Sequence, residues 1–325
     1  MGRFALWSFA ARRAGLAGLT VGLVIVSNFI LIHSAPGDPI AFLIGEYASP
    51  EYYEQVRRQY KLDRPIIAQL IPYLGNVLRG DLGFSYSYQK PVVAVIRDRF
   101  PPTLLLTGTA IALSSLFGIL LGVVAATRPG SGLDAVTTAA TIVGYSLPVF
   151  WLAQLLLLTF SVRLHWFPVQ GMSSLRMDMG LFERLTDLAR HLVLPVVSLT
   201  AFYLALVARL MRTKMIETLR SDYILTARAK GLRSATVLLR HALPNAILPV
   251  VTVIGYNFSL VFAGSVLTET VFAWPGMGLL IYDAVYARDY PLLLGSFVFI
   301  ALSVVFFNFV TDIMYGVIDP RVRYG

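Results

Sequence analysis

The chain of 325 residues contains no cysteine, which excludes disulfide bonds, thiolate metal ligands and thiol nucleophiles. Charged residues are also scarce, at 14% of the chain, whereas 57% of residues are hydrophobic. Soluble domains usually carry about 25% charged residues, so this composition excludes an ordinary soluble protein. Together with a mean hydropathy of +0.70, it predicts an all-α polytopic membrane protein, because helices satisfy their own backbone hydrogen bonds in lipid.

The sequence also lacks the motifs of nucleotide-binding and catalytic sites. It contains no Gly-x-x-x-x-Gly-Lys-[Ser/Thr] phosphate loop, so we expect the chain neither to bind nor to hydrolyse ATP. Gly144-Tyr-Ser-Leu-Pro148 lacks the last glycine of a nucleophile elbow. The four histidines are separated along the chain, which argues against a metal site: His33, His165, His191 and His241. We therefore predict no enzymatic activity, no metal and no cofactor in this chain.

Six apolar runs are long enough to cross a hydrocarbon core of about 30 Å. The predicted spans are 14–32, 103–127, 135–161, 191–211, 246–268 and 292–316. Basic residues precede the first run, but no convincing cleavage site follows it, so we predict an uncleaved span preceded by a cytoplasmic or interfacial segment, 1–13. Pro148 predicts a kink in the third span.

The net charge of +9 is compatible with nucleic-acid binding, but the basic residues cluster at the ends of apolar runs. That distribution indicates membrane lipid, and no nucleic acid, as a partner. With the N-terminus inside, most basic residues outside segment 33–100 are cytoplasmic: Arg3, Arg12, Arg13, Arg128, Arg209, Arg212, Lys214, Arg220, Arg228, Lys230, Arg233, Arg240, Arg321 and Arg323. The short outer loops carry only Arg163, Arg176, Arg184, Arg190 and Arg288. Both termini are therefore predicted to be cytoplasmic, in a multi-pass membrane protein.

Segment 33–100 is too polar to span a membrane, and we predict a small extracytoplasmic insertion after the first span. Within it, 51–60 and 69–78 are expected to be helical, with a turn at Asp63-Arg-Pro65. Residues 101–317 would form the transmembrane core, with a cytoplasmic loop at 212–245 between the fourth and fifth spans. The tail, 318–325, would be cytoplasmic.

The cytoplasmic loop contains a short charged segment, Ser221-Asp-Tyr-Ile-Leu-Thr-Ala-Arg-Ala-Lys-Gly-Leu232. Ser221 or Asp222 can cap the first turn of a helix, and Gly231 lies where a left-handed C-terminal cap would fall. The pattern predicts a helix of about two turns that a soluble partner contacts. Ten residues after Gly231, the chain continues as His241-Ala-Leu-Pro-Asn-Ala-Ile-Leu-Pro249.

This spacing resembles the Glu-Ala-Ala loop of ABC importer permeases, in which a Gly lies six residues after the Glu and an apolar-x-Leu-Pro pattern follows nine residues later. Three positions fit that pattern: Gly231, Leu243 and Pro244. Three depart from it: Leu225 at the Glu position, Thr226 before Ala227, and His241 at the apolar position. These departures resemble the peptide and nickel branch, in which Thr-Ala-Arg-Ala-Lys-Gly-Leu is usual.

Further stretches resemble the same branch over nearly the whole chain. They are Ala35-Pro-Gly-Asp-Pro39, Leu62-Asp-Arg-Pro65, Gly80-Asp-Leu-Gly83 with Ser85, Arg99-Phe-Pro-Pro-Thr-Leu104, Glu269-Thr-Val-Phe-Ala-Trp-Pro-Gly-Met-Gly278, Arg288-Asp-Tyr-Pro291 and Asp319-Pro-Arg-Val-Arg323. The resemblance implies a location in the bacterial inner membrane, a homologous second permease, two ABC ATPase subunits that hold ATP and Mg, and an extracytoplasmic solute-binding protein. It also implies that the short helix docks on an ATPase through Asp222, Tyr223, Thr226, Ala227, Arg228, Lys230 and Gly231.

Polar residues within the spans are candidates for a translocation path, because polar groups facing lipid are costly. The path candidates are Ser146, Gln154, Tyr203, Tyr256, Asn257 and Ser259. Each of them is equally compatible with a hydrogen bond that packs two helices together. After the fifth span, the Pro-Gly pair of 275–276 predicts a turn at the external face, with Glu269, Phe272 and Trp274 as outer-gate candidates. Interfacial anchoring is the alternative role for the two aromatic residues.

The sequence thus favours the permease subunit of an ATP-driven importer that forms half of a path for peptides or a related small solute. The residues alone leave two alternative functions open. One is a secondary transporter or channel that works alone, although the span centres carry few ionisable groups. The other, within the importer class, is a different cargo, such as a nickel chelate or glutathione.

Overall fold

A computed structural model describes residues 3–34, 49–59, 65–174 and 180–318. The described chain is mostly helical and divides into two compact units. Unit 1 comprises 1–101 and 276–305, and unit 2 comprises 102–275 and 306–325. The turn at Asp63-Arg64 and the motifs at 35–39 and 319–323 lie outside the described residues.

The helices are, in chain order, α1 (Arg3–Ser34), α2 (Pro50–Gln59), α3 (Ile66–Leu78), α4 (Val92–Thr127), α5 (Gly132–Ser146), α6 (Val149–Leu156), α7 (Leu181–Leu219), α8 (Asp222–Ala229), α9 (Ser234–Thr236), α10 (Leu243–Ala246), α11 (Leu248–Gly264), α12 (Val266–Val271), α13 (Met277–Tyr286) and α14 (Tyr290–Ile318). Two π-helical segments are π1 (Leu157–Arg163) and π2 (Val237–Ala242). Strands β1 (Phe84–Ser85) and β2 (Lys90–Pro91) form an antiparallel hairpin.

Unit 1 contains the insertion expected at 33–100. Helices α2 and α3 correspond to the two helices predicted at 51–60 and 69–78, although α3 begins at Ile66 because Pro65 precedes it and fixes the entry of the helix. The β1–β2 hairpin was not predicted. The unit packs around buried apolar side chains of α4, α13 and α14, including Val92, Ile96, Met277, Leu280 and Leu292.

Unit 2 packs α4, α5 and α7 closely because small residues line the contacts. Gly118 and Gly122 lie four residues apart on α4. A Cβ on Gly118 would lie 2.8 Å from Val207 Cγ1, and a Cβ on Gly122 would lie 2.7 Å from the Ala208 carbonyl oxygen. This is the small-xxx-small arrangement of helix pairs in membranes. Around the end of α7, a second apolar cluster includes Met211, Met215, Ile224, Val237 and Val250.

By length and composition, three described helices can cross a membrane, or up to five elements if two bent helix pairs each count as one span. The three are Val92–Thr127, Leu181–Leu219 and Tyr290–Thr311. The first begins before the predicted 103–127, and the second extends past the predicted 191–211 at both ends, because the helices continue beyond their apolar centres. A multi-pass membrane protein is thereby supported, whereas the count of six spans stays a prediction.

Two predicted spans are broken in the structure. The span predicted at 135–161 is the pair α5 and α6–π1, which bends by 98°. The interruption lies at Pro148 as predicted, but it is a break between two helices and not a kink within one. Leu147 and Pro148 have ψ near 127°, and this extended backbone ends one helix before the next begins. The span predicted at 246–268 is interrupted at Ser265, and a bend of 47° separates the segment 234–246 from α11. Helix α1 runs unbroken from Arg3, so its backbone shows no boundary at residue 13.

Candidate functional site

The predicted short helix is present as α8. Ser221 precedes it with extended backbone, φ −75° and ψ 153°, but its hydroxyl donates to the Thr218 carbonyl oxygen at 2.6 Å instead of capping an amide. At the other end, Gly231 has φ +75° as predicted. The Gly231 N–H donates to the Arg228 carbonyl at 2.9 Å and the Leu232 N–H to the Ala227 carbonyl at 3.4 Å. These two bonds form a Schellman cap that stops the helix.

One face of α8 packs on the chain itself. Ile224 and Ala227 are buried against the cluster that contains Met211 and Met215 of α7. The side chain of Ala227 is therefore unavailable to a partner, and the expectation that it contributes to ATPase docking is corrected. Ile224 and Ala227 are three residues apart and therefore lie on the same helix face, and Ile224 on that face is buried in the core.

The opposite face of α8 is exposed. Six of the seven docking candidates lie on it or at its end: Asp222, Tyr223, Thr226, Arg228, Lys230 and Gly231. Leu225, which occupies the Glu position of the Glu-Ala-Ala pattern that this segment resembles, is also exposed at 54%. Within the described part of the chain, neither Arg228 nor Lys230 forms an ion pair. The face therefore offers an exposed leucine flanked by positive charge.

A side-chain contact fixes α8 to the segment that follows it. The Asn245 amide donates to the Tyr223 hydroxyl at 3.0 Å and to the His241 carbonyl at 2.9 Å. Asn245 belongs to α10, which follows π2, and π-helical turns are frequent at functional sites. The number of residues between Gly231 and Leu243-Pro244 allows the chain to return to α8, so that Asn245 can reach Tyr223. Sequence reasoning did not single out Asn245.

An ion pair links α5 to α7 shortly before α8 begins. The guanidinium of Arg212 donates from Nη2 to Asp134 Oδ2 at 2.8 Å and from Nε to Oδ1. Asp134 is buried, and its Oδ2 also accepts the Gly130 N–H at 2.9 Å. A bidentate pair of this kind fixes both distance and orientation. The end of α7 that continues towards α8 is therefore held to the start of α5.

The outer-gate candidates surround a sharp turn. Helix α12 ends at Val271, Ala273 has φ +46°, and the next helix begins at Met277, so the predicted break at the Pro-Gly pair is present. Glu269 is fully buried, and its Oε1 accepts hydrogen bonds from Thr103 Oγ1 at 2.8 Å and Ser265 Oγ at 2.6 Å. These two hydroxyl donors supply hydrogen bonds that a buried carboxylate needs.

The two aromatic gate candidates are buried as well. The Trp274 indole is 0% exposed, and its Nε1–H donates to the Pro102 carbonyl at 2.9 Å. Phe272 is 2% exposed, and its carbonyl accepts the Gly171 N–H at 2.8 Å. A fully buried indole leaves no ring to anchor at a membrane surface, so the interfacial role is excluded for Trp274 in this conformation.

Known protein families match nearly the whole chain. Residues 118–324 match the family described as binding-protein-dependent transport system inner membrane component, and 6–107 match the N-terminal part of such components. The chain belongs to this family. It is the permease subunit of an ABC importer, and a transport protein instead of an enzyme.

Individual relatives agree with that assignment. The permease is 40% identical to the di/tripeptide transport system permease protein DppB of Pseudomonas aeruginosa, over 98% of this chain and 99% of the relative. It is 37% identical to the dipeptide transport system permease protein DppB of Escherichia coli K12, over 97% and 98%. Among solved structures, the MetNI methionine ABC transporter in inward-facing conformations has a TM-score of 0.56 at 18% identity, covering 70% of the permease and 97% of that chain. The similarity to the MetNI structure shows a shared fold.

The path candidates of the permease are dispersed. Tyr203 and Asn257 are buried, Ser146, Gln154 and Tyr256 are exposed, and the side chain of Ser259 lies outside the described residues. The structure contains one cavity between α5 and α7 and another beside α3, and none of the five candidates with a described side chain lines either of them. Their role in a path therefore stays a prediction.

Proposed function

We propose that the permease forms half of the translocation path for short peptides, which a solute-binding protein delivers from outside. The relatives' names, di/tripeptide and dipeptide transport system permease, support peptides as the cargo. They give no support to a nickel chelate or glutathione. Membership in a binding-protein-dependent family also argues against a secondary transporter that works alone.

In this proposal the permease pairs with a homologous permease and two ATPase subunits, which bind ATP and Mg. Helix α8 is the docking element, and both termini lie with it on the cytoplasmic side. The observation that carries the proposal is the division of α8 into two faces. Ile224 and Ala227 fasten it to α7, while Leu225 and the basic residues beside it stay exposed.

Movement of the ATPases would reach the spans through rigid connections. Helix α7 is continuous from Leu181 to Leu219, and its last turns pack on α8. The Arg212–Asp134 pair attaches α5 to the same end. A displacement of α8 would therefore carry α7 and the start of α5 with it, as packed elements move as rigid bodies in switching transitions. Glu269, Phe272 and Trp274 would close the outer end of the path when the inner end opens.

Docking through α8 is tested by shortening Leu225 without touching the fold. Truncation of a leucine that becomes buried in a partner removes about 1.5–3 kcal/mol, so Leu225→Ala should weaken ATPase binding by about tenfold or more. Leu239→Ala is the matched control, because Leu239 is equally exposed at 57% but lies on π2. Titration of purified ATPase against the permease in nanodiscs gives both affinities. Equal affinity of Leu225→Ala and the unchanged permease would refute α8 as the docking element.

A further inference from the structure

A cavity lined by hydroxyl and guanidinium groups as well as apolar surface lies between α5 and α7, at the end of α7 nearest α8. The two helices are in close contact at Gly144, where a Cβ would lie 3.1 Å from the Ala201 carbonyl oxygen. Nearer to α8 they border a partly open cavity of about 420 Å³. Most of its lining side chains are hydroxyls and guanidiniums, from Thr137, Thr138, Thr141, Arg209, Arg212 and Thr213. Apolar atoms form the larger part of the cavity surface, and among the polar side chains Arg209 and Thr213 are exposed to solvent, whereas Thr137 and Thr141 are buried.

The cavity offers hydrogen-bond donors and positive charge. Among the described residues, Arg209 has no ion-pair partner, and the hydroxyls of Thr137 and Thr138 have no hydrogen-bond partner. The nearby carboxylate of Asp134 is already occupied by Arg212 and by the Gly130 N–H. Asp134 thus holds the Arg212 guanidinium in place, and Arg209 is left without a carboxylate from the part of the chain that the structure describes.

The spacing directs both arginines to one face. Arg209 and Arg212 are three residues apart on α7, so their side chains project from the same side of the helix. Thr137 and Thr141 are four apart on α5 and face them across the cavity. An occupant with several acceptor oxygens and a negative charge matches such a set, and guanidinium groups are well suited to phosphate.

We propose that this cavity binds a phosphate group, either of an anionic phospholipid or of a free phosphate ion. On the predicted spans 135–161 and 191–211 the cavity lies at one end of both helices, where headgroups are expected, and basic pockets between membrane helices bind such groups. Ile142 and Ala208 complete the lining with apolar surface, which suits the part of a lipid next to its phosphate. Binding at this cavity uses the chain's own residues and does not depend on the cargo.

The lipid arm of the test uses native mass spectrometry of the permease purified with the subunits that accompany it. The protein is extracted from membranes that contain phosphatidylglycerol and phosphatidylethanolamine. Arg209→Gln should lower the retained phosphatidylglycerol about fivefold, because a single arginine near an anionic surface contributes that much. Thr137→Val with Thr138→Val should lower it too. Arg220→Gln is the control, since Arg220 is exposed at the end of α7 but does not line the cavity.

The second arm distinguishes a free ion from a lipid. Delipidated protein is heated with millimolar inorganic phosphate or with chloride of equal ionic strength. If the site takes free phosphate, phosphate should raise the melting temperature of the unchanged protein and not of Arg209→Gln. If phosphatidylglycerol retention depends on Arg209, the cavity binds a lipid headgroup. If the effect of phosphate on the melting temperature depends on Arg209, the cavity binds a free phosphate ion. If neither phosphatidylglycerol retention nor the phosphate effect depends on Arg209, or if Arg220→Gln has the same effect, the proposal is overturned.

Discussion

The hydroxyl of Ser85 donates a hydrogen bond of 2.6 Å to Oδ2 of Asp289, a fully buried carboxylate 204 residues later in the chain. The same carboxylate accepts the backbone N–H of Ser87 at 2.9 Å and, through Oδ1, that of Leu292 at 3.2 Å. These bonds join the β1–β2 hairpin to the start of α14 within unit 1. They also explain why Gly80-Asp-Leu-Gly83 with Ser85 and Arg288-Asp-Tyr-Pro291 occur together in one sequence, since each supplies half of the contact.

The Ser85–Asp289 bond should contribute measurably to stability. Ser85→Ala removes one donor from a buried carboxylate, and we expect a loss of about 1–3 kcal/mol in the free energy of unfolding. Ser87→Ala is the matched control, because its contribution comes from the backbone N–H and the side chain is exposed. Thermal unfolding in nanodiscs gives both values. Equal stability of the two variants would show that the hydroxyl bond is dispensable.

The glycine pair of α4 should tolerate no larger side chain. Gly118→Val and Gly122→Val place methyl groups against α7, and overpacking of this kind costs about 1–3 kcal/mol or separates the helices. Gly108→Ala on the same helix is the control, because nothing lies within 4 Å of its added Cβ. Yield and melting temperature after purification report the effect. Unchanged melting temperatures for the valine variants would contradict the close contact between α4 and α7.

The Asp134–Arg212 pair should affect coupling more than assembly. Asp134→Asn removes the charge that fixes Arg212, so we expect ATP hydrolysis to continue while uptake per ATP falls. A double-mutant cycle with Arg212→Gln should show that the two effects are not additive. Lys214–Glu217 is a suitable control pair, because both side chains are exposed and the contact lies within α7. Additive effects at 134 and 212 would argue against a functional link.

The turn after α12 should respond to the transport cycle. The chain has no cysteine, so Ala273→Cys introduces its single thiol. Ala273 is half-buried between two fully buried aromatic residues, and we expect its reaction with an external thiol reagent to change when ATP is trapped on the ATPases. A second single thiol, at the exposed Ser87 on the β1–β2 hairpin, should react at the same rate in both states. Equal rates at Ala273 in the resting and trapped states would refute its place in a gate.

Local signals in the sequence predicted local structure well. The left-handed Gly231 follows from a capping rule that acts over a few residues, and the helix at 222–229 forms as predicted although Ser221 makes no side-chain cap. What failed depends on tertiary contacts. The inward orientation of Ala227 is set by the cluster on α7. The bend of 98° accompanies the packing of Ala153 of α6 against Leu194 and Phe272. The Ser85–Asp289 bond depends on a fold that joins distant segments. A proline predicts an interruption but does not predict its angle.

Docking of the exposed face of α8 on an ATPase subunit is the step on which the proposed transport cycle depends most. Because the chain is free of cysteine, Arg228→Cys on that face and Arg163→Cys at the end of π1 each provide a single thiol for a short crosslinker. We expect the thiol at 228 to crosslink to the ATPase with high yield and the thiol at 163 not to do so. Absence of a crosslink from 228 in an assembled, ATP-hydrolysing complex, or equal crosslinking from 163, would contradict docking through α8.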